Sequence, residues 1–157
     1  MLTPVKTRKW NARESEFAIV ASRYNARYVD GMLVAAVREL KRARAETIKV
    51  VRVPGAYEIP VVAAKLARQS TVHHQLSAII CLGVILRGAT THAQLIGEAV
   101  SRALMQIQMQ YGVPVAHEVL LLENERQAAE RCLDRTHNRG AEAAQTALEM
   151  ARVLRRL

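Results

Sequence analysis

The chain has 157 residues, half of them hydrophobic, which predicts a single domain over residues 1–157 with a substantial buried core. Its first residues are charged, and no apolar run is long enough for a signal peptide or a membrane span, so we expect a cytoplasmic protein without membrane contact. The formal net charge is +9, but one Trp, one Phe, four Tyr and no recognisable binding motif argue against dedicated nucleic-acid binding.

Strand and helix patterns alternate along the chain after an N-terminal arm of residues 1–16. Apolar and β-branched residues predict strands at 17–22, 47–53, 78–84 and 113–121, the third within an apolar run that extends to residue 86. Helical spacing of apolar residues predicts helices at 30–44, 59–68, 92–111, 124–134 and 140–157. Repeated strand and helix units predict a four-stranded parallel sheet in a three-layer α/β/α sandwich, with the ligand site at the carboxyl ends of the strands.

The segment SAIICLGVILRGATTH, residues 77–92, predicts a buried strand followed by a backbone turn of a size that suits a phosphate. Gly88 lets the backbone approach a ligand, and Thr90 or Thr91 can cap the helix that follows, so free amides face an anion. His92 falls in the first helical turn, where the helix dipole disfavours imidazolium, and a neutral ring there is a candidate general base. The alternative is that these polar residues are merely solvated at a strand end.

Polar and aromatic residues also follow the first two predicted strands. Tyr24 could stack on a flat heterocycle, while Asn25 and Glu58 could bind hydroxyls or ring nitrogens. Taken singly, each has an ordinary alternative, since Tyr24 can cover the core and Glu58 can start a helix after a tight turn. Because these loops follow parallel strands, we expect their side chains to meet at one edge of the sheet.

The cysteine and histidine pattern predicts no metal site. Cys81 lies in the presumed core strand and Cys132 on a later helix, so two reduced, structural thiols are expected. His73 and His74 have no carboxylate or cysteine partner nearby in sequence, and metal binding there is not expected.

Three blocks in order resemble the 6,7-dimethyl-8-ribityllumazine synthase family of riboflavin biosynthesis: SRYN from Ser22, VPGAYEIP from Val53 and GVILRGATTH from Gly83. ERC from Glu130 and HNRGAEAA from His137 support the resemblance. It implies a flavodoxin-like fold and homopentamers, sometimes packed into icosahedral shells of sixty subunits that can enclose riboflavin synthase, with active sites between subunits.

The resemblance also implies the reaction, a transferase step that needs no cofactor. In this family 5-amino-6-(D-ribitylamino)uracil condenses with 3,4-dihydroxy-2-butanone 4-phosphate to give the lumazine, inorganic phosphate and water. The implied catalytic residues are His92, which would shuttle protons, and Arg131, which would clamp the phosphate from an adjacent subunit. Without the resemblance, Arg131 would be a surface arginine pairing with Glu130 or Asp134.

The resemblance assigns the implied substrate contacts by position. The residues after the first strand contact the heterocycle, and the turn after the second strand holds the ribityl chain. The end of the third strand lines the ring pocket, and the backbone amides that follow it bind the phosphate. The corresponding residues are Tyr24, Asn25, Ala56, Tyr57, Glu58, Val84, Ile85, Ala89 and Thr90.

Several positions depart from the family pattern. His117 stands where a Phe usually packs against the heterocycle from the next subunit, and Glu118 replaces a small residue. Leu121 and Leu122 stand where Thr is common, and Arg139 replaces a Lys near the ribityl chain. His117 could still stack, and its titration would make substrate binding depend more on pH.

Two alternatives belong to other functional classes. The substitutions at His117 and Glu118 could mark a non-catalytic flavin-binding or lumazine-binding relative, or the chain could serve mainly to form a shell around a partner. The retained His92 and Arg131 argue against lost catalysis.

Overall fold

Strands and helices alternate along the chain, as the sequence predicts. The structure is a computed structural model that describes residues 10–71 and 76–157. His73 and His74 therefore lie outside the described residues. The elements are β1 (Glu16–Ser22), α1 (Ala26–Arg42), β2 (Thr47–Val53), α2 (Ile59–Ser70), β3 (Ala78–Leu86), α3 (His92–Tyr111), β4 (Val115–Leu122), α4 (Glu125–Cys132) and α5 (Arg139–Leu154), with a short 3-10 turn at Ala56–Glu58 before α2.

The four strands form one parallel sheet in the order β2-β1-β3-β4. Alternate residues of β1 face opposite sides, because successive side chains of a strand point in opposite directions. Phe17 and Ile19 pack with α1, α4 and α5, whereas Ala18 and Val20 pack with α2 and α3. Helices thus cover both faces, which confirms the predicted three-layer α/β/α sandwich of flavodoxin-like type.

The strand order places a crevice at the centre of the sheet. The chain leaves β1 for β2 on one side, then crosses back over β1 to form β3 on the other. The loops after β1 and β3 therefore diverge, and parallel α/β sheets bind ligands at this kind of switch point. The carboxyl ends of β1 and β3 are the expected position of the site.

Several predicted boundaries are wrong by two to four residues, and two of these differences have clear local causes. α1 begins at Ala26 rather than residue 30, because Asn25 adopts a left-handed conformation (φ 57°) that turns the chain from β1 directly into the helix. β4 begins at Val115 rather than residue 113. Pro114 has no N–H for the ladder and contributes only its carbonyl, which accepts a hydrogen bond from the N–H of Ile79 at 2.8 Å.

The predicted structural thiols are confirmed. Cys81 and Cys132 are free and buried, and burial raises the pKa of each to about 12, so neither is a reactive thiolate. Over residues 10–71 and 76–157, no three His, Cys, Asp or Glu side chains are grouped to hold a metal ion. None of the helices in those ranges is both long enough and apolar enough to cross a bilayer.

Asn138 links three helices through its buried side-chain amide. Its Oδ1 accepts a hydrogen bond from the N–H of Gly140 at 2.8 Å, and its Nδ2 donates to the carbonyl of Cys132 at 2.6 Å. Nδ2 also lies 3.5 Å from the carbonyl of Gly31 in α1. This one side chain therefore caps α5 and holds the end of α4 against α1.

Replacing Asn138 with Ala is expected to lower the free energy of unfolding by about 2–4 kcal/mol, because a buried N–H and a buried C=O both lose their partner. Asn124 is a matched control, since it caps α4 by accepting from the N–H of Gln127 at 3.0 Å but is exposed. Asn124→Ala is expected to cost about 1 kcal/mol. Urea unfolding of both variants measures the difference, and equal losses would contradict the buried role of Asn138.

Candidate active site

A cavity of about 920 Å³ opens at the carboxyl ends of β1 and β3, where the strand order predicts a ligand site. It brings together eight of the residues predicted from the sequence: Tyr24, Asn25, Ala56, Tyr57, Glu58, Val84, Ile85 and His92. Three loops that are distant in sequence therefore contribute to a single crevice.

Asn25 fixes the geometry between the two central strands. Its left-handed backbone starts α1, and its Nδ2 donates to the carbonyl of Val84 at 2.8 Å. Left-handed geometry favours Gly, Asn and Asp, and of these Asn alone carries an amide donor that can reach the neighbouring strand. The loop after β1 is thereby tied to the end of β3, where the cavity floor lies.

The carboxylate of Glu58 is hydrogen-bonded within the turn that follows β2. The Oε2 of Glu58 accepts a hydrogen bond from the N–H of Gly55 at 2.9 Å, which closes the turn. A Cβ on Gly55 would lie 2.9 Å from Cδ2 of Tyr24, so only glycine lets the Tyr24 ring lie this close to the turn. Tyr24 is 71% exposed and Tyr57 63% exposed, and the two rings border the cavity with open faces.

The loop between β3 and α3 carries free amides beside the cavity rather than inside it. Ala89 and Thr90 are exposed and do not line the cavity. In the described part of the chain, the N–H groups of Gly88, Ala89 and Thr90 have no hydrogen-bond partner. The N-cap residue of α3 is Thr91, which makes no side-chain cap hydrogen bond, and the Thr90 hydroxyl lies 3.4 Å from the His92 nitrogen, so the predicted threonine cap is not formed.

A second group of predicted residues lies away from the cavity of the same chain. Arg131 is on α4, Arg139 starts α5 and His117 is on β4, and none of the three lines the cavity. Arg131 is exposed and has no ion pair within the described residues. The pairing of Arg131 with Glu130 or Asp134, expected without the resemblance, is not observed. Glu130 lies 3.9 Å from Arg126, and Asp134 accepts hydrogen bonds from residues of its own turn.

The side chain of Glu118 lies on the face of β4 that α4 and α5 cover. Burial raises the pKa of this carboxyl to about 7; Arg139 and Arg131 oppose the shift, and Glu142 adds to it. Arg139 itself pairs with Glu142 at 2.6 Å. A carboxyl with a pKa near neutrality therefore lies beside Arg131, the predicted phosphate ligand, and Arg139, predicted to lie near the ribityl chain.

Three apolar residues of α3 that the sequence analysis did not place in the site line the cavity. Leu95, Ile96 and Ala99 follow His92 at helical spacing, and this spacing predicts a core-facing surface. In the structure the three line the cavity, and Leu95 is 61% exposed. Their positions one and two turns after His92 on α3 were the available signal. Gly55 and Leu86 complete the lining.

Comparisons with known proteins show which family the chain belongs to. The sequence model of the family described as 6,7-dimethyl-8-ribityllumazine synthase matches residues 14–155. The chain is 40% identical over 150 residues to the 6,7-dimethyl-8-ribityllumazine synthase of Syntrophus aciditrophicus (strain SB), an alignment that covers 93% of this chain and 94% of that protein. The protein therefore belongs to the 6,7-dimethyl-8-ribityllumazine synthase family.

Proposed function

We propose that this protein catalyses the condensation of 5-amino-6-(D-ribitylamino)uracil with 3,4-dihydroxy-2-butanone 4-phosphate to 6,7-dimethyl-8-ribityllumazine, with release of inorganic phosphate and water. The observation that carries the proposal is the convergence of Tyr24, Glu58 and His92 on one cavity in a member of this family. A cytoplasmic location stays a prediction from the sequence.

The cavity suits the pyrimidine substrate. Its apolar floor, which includes Val84 and Ile85, can cover a heterocycle, and the open face of Tyr24 can stack on it. The turn of Ala56, Tyr57 and Glu58 offers polar atoms to the ribityl hydroxyls. Such a fit orients the reacting amine, and orientation of two substrates supplies a large part of the barrier reduction in a condensation.

Proton transfer is assigned to His92. Its ring lines the cavity at the start of α3, next to the loop whose amides are free. Imine formation requires a proton to leave the amine and reach the departing water, and elimination of phosphate requires removal of a carbon-bound proton. A neutral imidazole at that position can accept and return these protons.

The phosphate site is assigned to the free amides of Ala89 and Thr90 together with Arg131. Because Arg131, Arg139 and His117 lie away from the cavity of their own chain, a second copy has to supply them. A homopentamer with sites between subunits meets this requirement, and packing of pentamers into a shell of sixty subunits around riboflavin synthase belongs to the same proposal. Light scattering measures the size of the assembly.

Supplying both substrates tests the proposal directly, since lumazine formation is followed by absorbance. No product from the wild-type protein would refute the enzyme, and tight flavin binding by that protein would then favour a flavin-binding module.

Subunit mixing tests whether the site is shared. His92→Gln and Arg131→Gln are each expected to lower kcat at least tenfold, because each removes a group that acts on the reacting atoms. When the two variants are assembled together, sites that combine the intact His92 of one copy with the intact Arg131 of another should regain activity above the sum of the separate variants.

Arg126→Gln is the control for this experiment, because Arg126 lies on the same helix and is exposed. Its ion pair to Glu130, at 3.9 Å, is long and exposed as well. It should leave the rate unchanged. Mixed assemblies that never exceed the summed activities would contradict a site shared between copies.

A further inference from the structure

His117 and Ser101 form a hydrogen-bonded pair that links the edge strand to α3. The Nε2 of His117 lies 2.8 Å from the Oγ of Ser101, and the Oγ of Ser101 donates to the carbonyl of Gly97 at 2.8 Å. On the other side of the ring, Nδ1 of His117 accepts from the N–H of Val119 at 3.1 Å. Both ring nitrogens are therefore occupied.

These three contacts fix the position of the imidazole proton. Because Val119 donates to Nδ1, that nitrogen has to present a lone pair. Because the single hydroxyl proton of Ser101 goes to Gly97, its oxygen can only accept from Nε2. The contacts are satisfied together only by a neutral ring with its proton on Nε2, since imidazolium would set an Nδ1 proton against the Val119 N–H.

The surrounding charges do not favour the protonated ring. The groove between α3 and β4 is bordered by Arg87, Glu98 and Arg102. Arg102 pairs with Glu98 at 3.4 Å, and Arg87 pairs with Glu123 at 2.8 Å. Glu118 neighbours His117 in sequence but points to the opposite face of the sheet, toward α4 and α5. Burial lowers the pKa of the His117 imidazole, and a hydrogen bond with the backbone of the same residue offsets this lowering only in part.

We propose that Ser101 is a positioning residue that holds His117 as a neutral ring with its proton on Nε2, so that His117 offers an uncharged flat surface to substrate and takes no part in proton transfer. The contact between His117 and the heterocycle rests on the proposed function. The tautomer and the role of Ser101 rest on the hydrogen bonds alone.

The proposal separates the two histidines of the proposed site. His92 lines the cavity and is the acid and base, whereas His117 stands in for an apolar aromatic ring. It also narrows the expectation that titration of His117 makes substrate binding depend more on pH. Substrate binding should weaken only under acid conditions, where protonation breaks the contact with Val119.

Nitrogen NMR of the whole protein labelled with ¹⁵N-histidine tests the tautomer without any substrate. Among the five histidines, the His117 signals are identified by their loss in His117→Phe. We expect a protonated Nε2 and an unprotonated Nδ1 at neutral pH in the wild type, and a mixture of tautomers in Ser101→Ala. A protonated Nδ1 in the wild type, or no change in Ser101→Ala, would overturn the proposal.

Kinetics test the consequence for substrate. Ser101→Ala is expected to raise KM for the pyrimidine about fivefold, the size of one lost hydrogen bond, with little change in kcat. Ser101→Thr keeps the hydroxyl and should restore both the tautomer and KM. The rise of KM under acid conditions should disappear in His117→Phe.

A fall in kcat with unchanged KM in Ser101→Ala would show that His117 acts on protons and would overturn the proposal. If the wild type forms no lumazine while the NMR shows the expected tautomer, the proposed function fails and the role of Ser101 in fixing the ring stands.

Discussion

Gly140→Ala is expected to lower the free energy of unfolding by about 3 kcal/mol, near the upper limit for overpacking a tight contact. A Cβ at Gly140 would lie 2.0 Å from the carbonyl oxygen of Met32 and 2.5 Å from its carbonyl carbon. Both atoms are backbone of α1, so no side chain can rotate to make room. α1 and α5 would have to separate at the contact that joins them.

Helix propensity alone predicts that Gly140→Ala raises the free energy of unfolding. Gly140 lies in the first turn of α5, and Ala is more favourable than Gly within a helix by about 1 kcal/mol. The steric term exceeds this gain because the distance is far below any normal carbon–oxygen contact. Moving the helix would also strain the hydrogen bond from the Gly140 N–H to the Asn138 side chain.

Gly97→Ala is the matched control, since Gly97 lies within α3 and the nearest atom to its Cβ is 3.8 Å away on Leu121. We expect this variant to be between unchanged and about 1 kcal/mol more stable than the wild type. Denaturant unfolding at a fixed protein concentration measures both. A Gly140→Ala protein as stable as Gly97→Ala would show that α1 and α5 do not pack as described.

The strands were predictable because their signal is local. The apolar run of β3 and the β-branched β2 differ from the helical spacing around them, and both were predicted at or near their observed bounds. The start of α1 was not predictable from spacing, because it depends on the left-handed Asn25 and its bond to Val84 on another strand. A contact across the sheet decides that boundary.

The cavity was predictable for a topological reason. Residues that follow parallel strands reach the same sheet edge, so Tyr24, Glu58 and His92 could be placed together before their distances were known. The hydrogen bond between Ser101 and His117 could not be inferred, since it depends on how α3 packs on β4. For the same reason no sequence pattern showed that Glu118 lies beside Arg131 and Arg139.

Glu118→Gln is expected to stabilise the protein at alkaline pH by up to about 3 kcal/mol. The pKa of Glu118 is raised from 4.5 to about 7, mainly because burial disfavours the charged carboxylate, and the nearby Arg139 and Arg131 only partly offset this. Each unit of pKa difference between the folded and unfolded states corresponds to about 1.4 kcal/mol. Gln has the shape of the protonated acid and never acquires the charge.

The sign follows from proton binding. Below pH about 4.5 the carboxyl is protonated in both states, and its contribution to stability is then at its most favourable. Between 4.5 and about 7 the folded chain holds a proton that the unfolded chain has released, so stability falls as pH rises. Above about 7 both states are ionised and the loss is complete. The advantage of the Gln variant should therefore grow over this interval and then stay constant.

Denaturant unfolding of the wild type and of Glu118→Gln at a series of pH values from about 4.5 to 8.5 measures this difference. Glu125→Gln is the control, because Glu125 is exposed in the first turn of α4, where a negative charge favours the helix. That variant should lose about 0.3–1 kcal/mol at neutral and alkaline pH, opposite in sign to Glu118→Gln. A stability difference that does not change with pH would mean that Arg131 and Arg139 balance the effect of burial on the Glu118 carboxylate. A wild type more stable than Glu118→Gln at pH 8.5 would mean that the two arginines outweigh it.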